Sequence, residues 1–253
     1  MISAQFNKLV ISKILLSLIH IKDEAGLFFI FIFAICQTDY LFFMNEVLSK
    51  KANQNTDLLT VDKKGRSLEK FYLGLDVEHL WIAGTHINWE TGVADKPDAT
   101  AGNHTHCSAF VASACERLGI YILRPPEHGQ ILLANAQYDW LQTNEARKNG
   151  WAPIANSNRI SVYTEVQKLA NTGRLVIAII KSPDDSKPGH AALIMPKEID
   201  EDKLMESGPV LIMAGTHNFN FISLKNGFRS HVVDWPENEI LFYVNNKELR
   251  IDG

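Results

Sequence analysis

Apolar positions fall into two regimes along the chain. In CSAFVASACERLG, Cys107, Phe110, Val111, Ala114 and Leu118 recur at helical spacing and share one face. The spacing predicts a helix over 107–118, closed by Gly119 in a left-handed conformation and capped at its start by Asn103 or Thr105. ILLANAQYDWLQTN and SVYTEVQKLANTG predict two more helices, the latter closed by Gly173. The period then changes. RLVIAIIK, HAALIMP, GPVLIMAG and ILFYVN are short apolar runs rich in β-branched residues, which predicts buried strands. SPDDSKPG reads as a turn between the first two, and YILRPPEHG as an extended stretch broken by Pro125 and Pro126. Helices followed by an antiparallel-looking set of strands, over 175–181, 190–195 and 209–214, predict an α+β fold.

The first 45 residues form an apolar segment of different character. Their longest uncharged run, Ala25 to Thr38, has 14 residues, short of the roughly 20 that a membrane-spanning helix needs. No stable membrane span is expected. Lys8 and Lys13 precede an apolar stretch as in an export signal, but Lys22, Asp23 and Glu24 interrupt it. Ile35 stands where a lipoprotein anchor at Cys36 would want a small residue. Translation from Met44 would give an ordinary soluble start, and a membrane-associated or core helix is a third reading. The expected location follows: cytoplasmic from Met44, otherwise exported to the cell envelope. Residues 46–70, polar and charged, read as a linker, which leaves 71–253 as the folded domain.

Composition narrows the class. The chain has 253 residues, 46% hydrophobic and 21% charged. That is a globular composition, long enough to bury a core without staples. Lys plus Arg is 25 against 29 Asp plus Glu, a net charge of −4, so no nucleic-acid partner is expected. Three cysteines, Cys36, Cys107 and Cys115, are too few and odd in number for a disulfide framework.

The chemistry centres on Cys107. At a helix start, unpaired N–H groups and the helix dipole favour thiolate over thiol. The bland alternative is a small buried hydrophobe. Cys115 is eight residues on, about 12 Å along a helix, and fits a structural role. His190 opens a strand after a Pro-Gly turn, where it serves either as a general base or as an exposed turn residue. In AGTHNFN, His217 or Asn218 is placed to orient an imidazole, and both are also ordinary turn residues. His104, His106, His190 and His217, with Cys107 nearby, allow a zinc site as an alternative, though neither HExxH nor CxxC occurs.

Four stretches, GNHTHCSAFV, LANAQYDWLQ, LVIAIIKSPDDSKPGHAALIMP and GPVLIMAGTHNFNFISLKNGF, occur in an order that resembles the papain-like cysteine hydrolases of bacterial cell walls. These are the NlpC-type endopeptidases and the CHAP amidohydrolases. The resemblance spans about residues 100–230. It implies a papain-like fold, Cys107 as nucleophile, His190 as base, and His217 or Asn218 as the third member. It also implies a thioester route, a peptide or peptidoglycan substrate, and no cofactor or metal. His106 stands where many NlpC-type enzymes carry Asp, and GLDVEHLWIAGTHINWETGV has no counterpart and reads as an addition to the substrate groove. The alternatives are a papain-like module that is non-catalytic or of other specificity, and a His-rich metal-binding protein. The sequence leaves the oligomeric state open.

Overall fold

The long apolar runs of the carboxy-terminal half belong to strands covered on both faces. The computed structural model describes residues 60–96, 105–155, 159–232 and 239–251, which fall within one compact unit spanning 55–253. The first elements are α1 (Lys63–Leu73), a hairpin of β1 (His86–Ile87) and β2 (Ala94–Lys96), and α2 (Cys107–Arg117). Then come α3 (Leu133–Leu141), α4 (Asn144–Lys148), β3 (Trp151–Pro153), α5 (Arg159–Asn171), β4 (Val176–Ile180) and β5 (His190–Ile194). The chain closes through α6 (Glu201–Ser207), β6 (Val210–Met213), β7 (Phe219–Ser223), α7 (Leu224–Gly227) and β8 (Leu241–Asn245). Strands β3 to β8 form one six-stranded sheet in the order β3-β8-β4-β5-β6-β7, and every paired neighbour is antiparallel. The expected α+β class holds.

Alternation along the strands sorts side chains to two layers. Ile177, Ile179, Ala191, Leu193 and Ile212 pack in one core with Phe110, Ala112 and Cys115 of α2. Ala178, Ala192, Ile194, Leu211 and Phe242 pack in the other with Val162, Tyr163 and Val166 of α5. With helices on both sides, β4 and β5 are buried at every position. Hence their sequences are continuous apolar runs with no polar alternation.

Helix α2 departs from the expected one-sided stripe. Every residue from Cys107 to Cys115 is buried. The sheet covers one side, and the segment around 81–90 covers another, with Trp81 edge-on to Phe110 at 5.2 Å between ring centroids and Ser113 Oγ donating to Glu90 O at 2.6 Å. Gly119 follows the helix at φ +71°, as expected. The cap differs: His106 is the N-cap and makes no side-chain capping bond. Thr105 precedes it, and Asn103 lies outside the described residues, as do residues 1–45 and 46–59.

The expected linker is corrected in part, because α1 begins at Lys63 inside it. Leu68 and Tyr72 of α1 are buried. Asp62 caps α1, accepting from Gly65 N at 2.7 Å, and its own N–H donates to Asn171 O at 3.0 Å. Gly65 is required there: a Cβ would meet Asn171 O at 2.1 Å. Gly65→Ala is therefore expected to lower stability by roughly 1–3 kcal/mol, the usual cost of overpacking. Urea unfolding checks this, and a stability equal to the parent's would refute the docking of α1 on α5.

Candidate active site

Two neighbouring elements carry the predicted nucleophile and base. Cys107 begins α2, and His190 begins β5, which α2 packs against. The turn that delivers His190 is held by Asn135, from the ANAQYDWL helix α3. Its Oδ1 accepts from Gly189 N at 2.8 Å and Ser182 N at 3.2 Å, and its Nδ2 donates to Lys187 O at 2.9 Å. One amide thus fixes both ends of the 182–189 turn. Gly189 is close enough that a Cβ would lie 2.2 Å from Ile180 O.

The sulfur of Cys107 is buried against the amide of Ala191. Burial pushes its thiol above the ordinary cysteine range, while hydrogen bonds from the Ala191 and Ser108 amides, the Ser108 side chain and its own amide pull the other way. The expectation that the helix start lowers the thiol pKa is not met, because desolvation outweighs the nearby donors. Burial pushes the Cys115 thiol up as well, and no part of it is exposed. Both are free thiols.

Cys107 lines a cavity of about 610 Å³ together with His86, Trp89, His106, Ile131 and Leu133. His190, His217 and Asn218 do not line it. The reason lies in strand register. His190 pairs with Ile180, and its ring projects to the sheet face opposite α2. There it lies 4.8 Å from the Phe228 ring, tilted at 72°, and 4.9 Å from the His231 ring, stacked at 16°. Its Nε2 is buried with no hydrogen-bond partner among the described residues. Cys107 and His190 therefore meet through the backbone of 190–191, not through their side chains.

The expected orienting residues are also committed elsewhere. Asn218 Oδ1 accepts from Gly215 N at 3.0 Å, and Nδ2 donates to Val77 O at 2.7 Å and Leu80 O at 2.8 Å. It ties the β6–β7 turn to the segment before the hairpin. His217 is exposed. Among the described residues no group of three or more His, Cys, Asp or Glu side chains is arranged to hold a metal ion. His106 donates through Nε2 to Thr85 O at 2.8 Å, and His104 lies outside the described residues.

Sequence reasoning missed four residues here. Phe228 and His231, the ring neighbours of His190, come from the cap of α7 and the turn after it, where no periodicity marks them. His86 and Asp95 form a pair across the β1–β2 hairpin, Nδ1 to Oδ1 at 2.5 Å. His86 lies in the segment 74–93, which reads as an addition without a counterpart, and Asp95 lies just beyond it. Compared with family models and with curated proteins, the chain matches none. Among the described residues no helix is long and apolar enough to cross a membrane.

The buried histidine predicts acid sensitivity. Desolvation first, and the adjacent His231 second, bring the His190 pKa from 6.5 to about 3. Burial lowers that of His231 too. Between those pH values the unfolded chain holds a proton on residue 190 that the folded chain refuses. Stability is therefore complete above about pH 6.5 and is lost, by up to about 1.4 kcal/mol per pH unit from this residue, as pH falls toward 3. Urea unfolding of the parent and His190→Gln at about pH 7 and about pH 4 measures the difference. The variant is expected to lose less stability on acidification; an equal loss would contradict the burial argument.

Proposed function

We propose that the protein is a cysteine-dependent hydrolase of amide bonds with a papain-like fold of the NlpC/CHAP type, Cys107 being its nucleophile. The observation that carries this is the contrast between the described cysteines. Cys107 lines the cavity at the start of α2, while Cys115 is sealed in the core. A buried Cys-led helix packed on an antiparallel sheet, in the order of the four resembling stretches, supports the fold assignment.

The chemistry follows from the donors. Attack of the sulfur on an amide carbonyl forms a thioester and releases an amine; water then cleaves the thioester to an acid. First-turn N–H groups of α2 are the candidate donors to the oxyanion. Peptidoglycan stem peptides are the substrate class that the resemblance implies. Trp89, Pro125, Ile131 and Leu133 along the cavity supply apolar surface for a peptide. A second reading, a non-catalytic or differently specific module, is favoured by one observation: the His190 ring faces away from the thiol.

Mass spectrometry of muropeptides incubated with the protein tests the proposal. Cleavage is expected with the parent and with Cys115→Ala, and is expected to vanish with Cys107→Ala while the circular dichroism spectrum is retained. Cleavage that survives Cys107→Ala refutes the assignment. A thiol-reactive probe that labels Cys107, without turnover of any peptide or muropeptide, supports the second reading.

A further inference from the structure

The buried thiol of Cys107 needs a proton acceptor, and the structure offers a histidine other than His190. His86 lines the same cavity as Cys107. Its strand is fastened to the helix start: His106, adjacent to Cys107, donates to the carbonyl of Thr85, adjacent to His86, at 2.8 Å. The other end of the insert is fastened along the helix, where Ser113 Oγ and Arg117 both donate to Glu90 O, at 2.6 and 2.9 Å. The hairpin is thus held to α2 at two points.

The state of the ring follows from its partner. Asp95, opposite on β2, meets His86 Nδ1 at 2.5 Å. The bond to His86 holds the Asp95 carboxyl below the ordinary carboxylate range, so Asp95 is ionised at neutral pH. An ionised carboxylate only accepts, so Nδ1 carries a proton, and in the neutral ring Nε2 is the nitrogen with the free lone pair. This is the tautomer that a carboxylate-oriented histidine needs in order to take a proton. His86 and Asp95 are 36% and 39% exposed, so the pair is open to water. His190 is sealed against Phe228 and His231.

We propose that His86, oriented by Asp95, is the general base that takes the Cys107 proton across the cavity; this deepens the hydrolase reading and rests on it. In the step, Nε2 of His86 accepts the thiol proton as the sulfur bonds to the amide carbon. The C–N bond then breaks, and the same proton passes from Nε2 to the leaving amine. Water attacks the thioester, giving one proton to Nε2 and its hydroxyl to the acyl carbon; the C–S bond breaks and that proton returns to the sulfur. Among the described residues, the charged or titratable groups about His86 are Asp95 and Lys96 on β2, and His106 and Cys107 at the start of α2.

The test needs no substrate. Alkylation of Cys107 in the full chain by iodoacetamide, followed by mass spectrometry from about pH 5 to about pH 9, reports the thiolate fraction. The parent is expected to react at neutral pH. His86→Asn is expected to slow the reaction at pH 7 by about tenfold or more and leave a single alkaline limb, with Asp95→Asn between the two. His86 is exposed enough that the variant should fold, which near-ultraviolet circular dichroism verifies. A His86→Asn profile equal to the parent's overturns the inference. If His190→Asn flattens the profile and His86→Asn does not, the inference fails while the hydrolase reading stands. If His86→Asn flattens it and no peptide or muropeptide is cleaved, the pair is upheld and the hydrolase reading fails.

Discussion

Helix α2 has no exposed residue from Cys107 to Cys115, and most of the molecule is arranged around that burial. The first N–H groups of a helix have no partner within the helix, and in α2 they belong to buried residues at the edge of the cavity. His106 makes no side-chain capping bond. The amides of Cys107, Ser108 and Ala191 pull the Cys107 thiol pKa down against its burial. A thiol is a weak acceptor, so this cluster of donors is best satisfied by a thiolate or by an oxyanion near it. The desolvation that raises the thiol pKa comes from the same enclosure. Enclosing the helix therefore both collects donors for negative charge and makes that charge costly to form without a base.

The rest of the fold supplies the enclosure. Ala191 offers the short side chain that faces α2 from β5. Asn135 fixes the turn leading into β5 from α3, and Gln137, two residues along, donates to Ser108 O at 3.2 Å and Leu123 O at 2.9 Å. The 77–90 segment closes the remaining side, with Asn218 and Ser113 as its anchors. The polar residues of the ANAQYDWL and GTHNF stretches thus work mainly as backbone clamps. Their placement next to the candidate site reflects the number of loop ends that converge on the start of α2.

What was legible in the sequence divides along physical lines. The expected helix over 107–118 and the four strand runs appear because their burial imposes an apolar pattern. Helix α1 was hidden because only Leu68 and Tyr72, four residues apart, are its large buried side chains amid Lys, Arg and Glu. Strands β1 and β2 have two and three residues, too few for a period to show. Cys107 was legible from its place at a helix start. The face taken by His190 was not, since it follows from the pairing of His190 with Ile180, and pairing register is a property of the sheet. The His86–Asp95 pair depends in the same way on the hairpin register, which places His86 opposite Lys96, next to Asp95.

His86 and His190 make opposite cases as the base for the candidate nucleophile. A general base has to hold a proton during the reaction, so its environment must tolerate an imidazolium. His190 is 3% exposed and stacked on a second imidazole, and its pKa sits at about 3. Protonating it would place a cation against another histidine in an apolar layer formed by Phe228 and its neighbours. Its burial makes sense as packing: it fills the opening of β5 where α7 closes the far face of the sheet. His86 has a carboxylate at hydrogen-bond distance and solvent on the other side. Proximity in the backbone favours His190, since its neighbour Ala191 touches the sulfur. The placement of the rings favours His86: its ring is paired with a carboxylate at the wall of the cavity that Cys107 lines, whereas the His190 ring is sealed against Phe228 and His231.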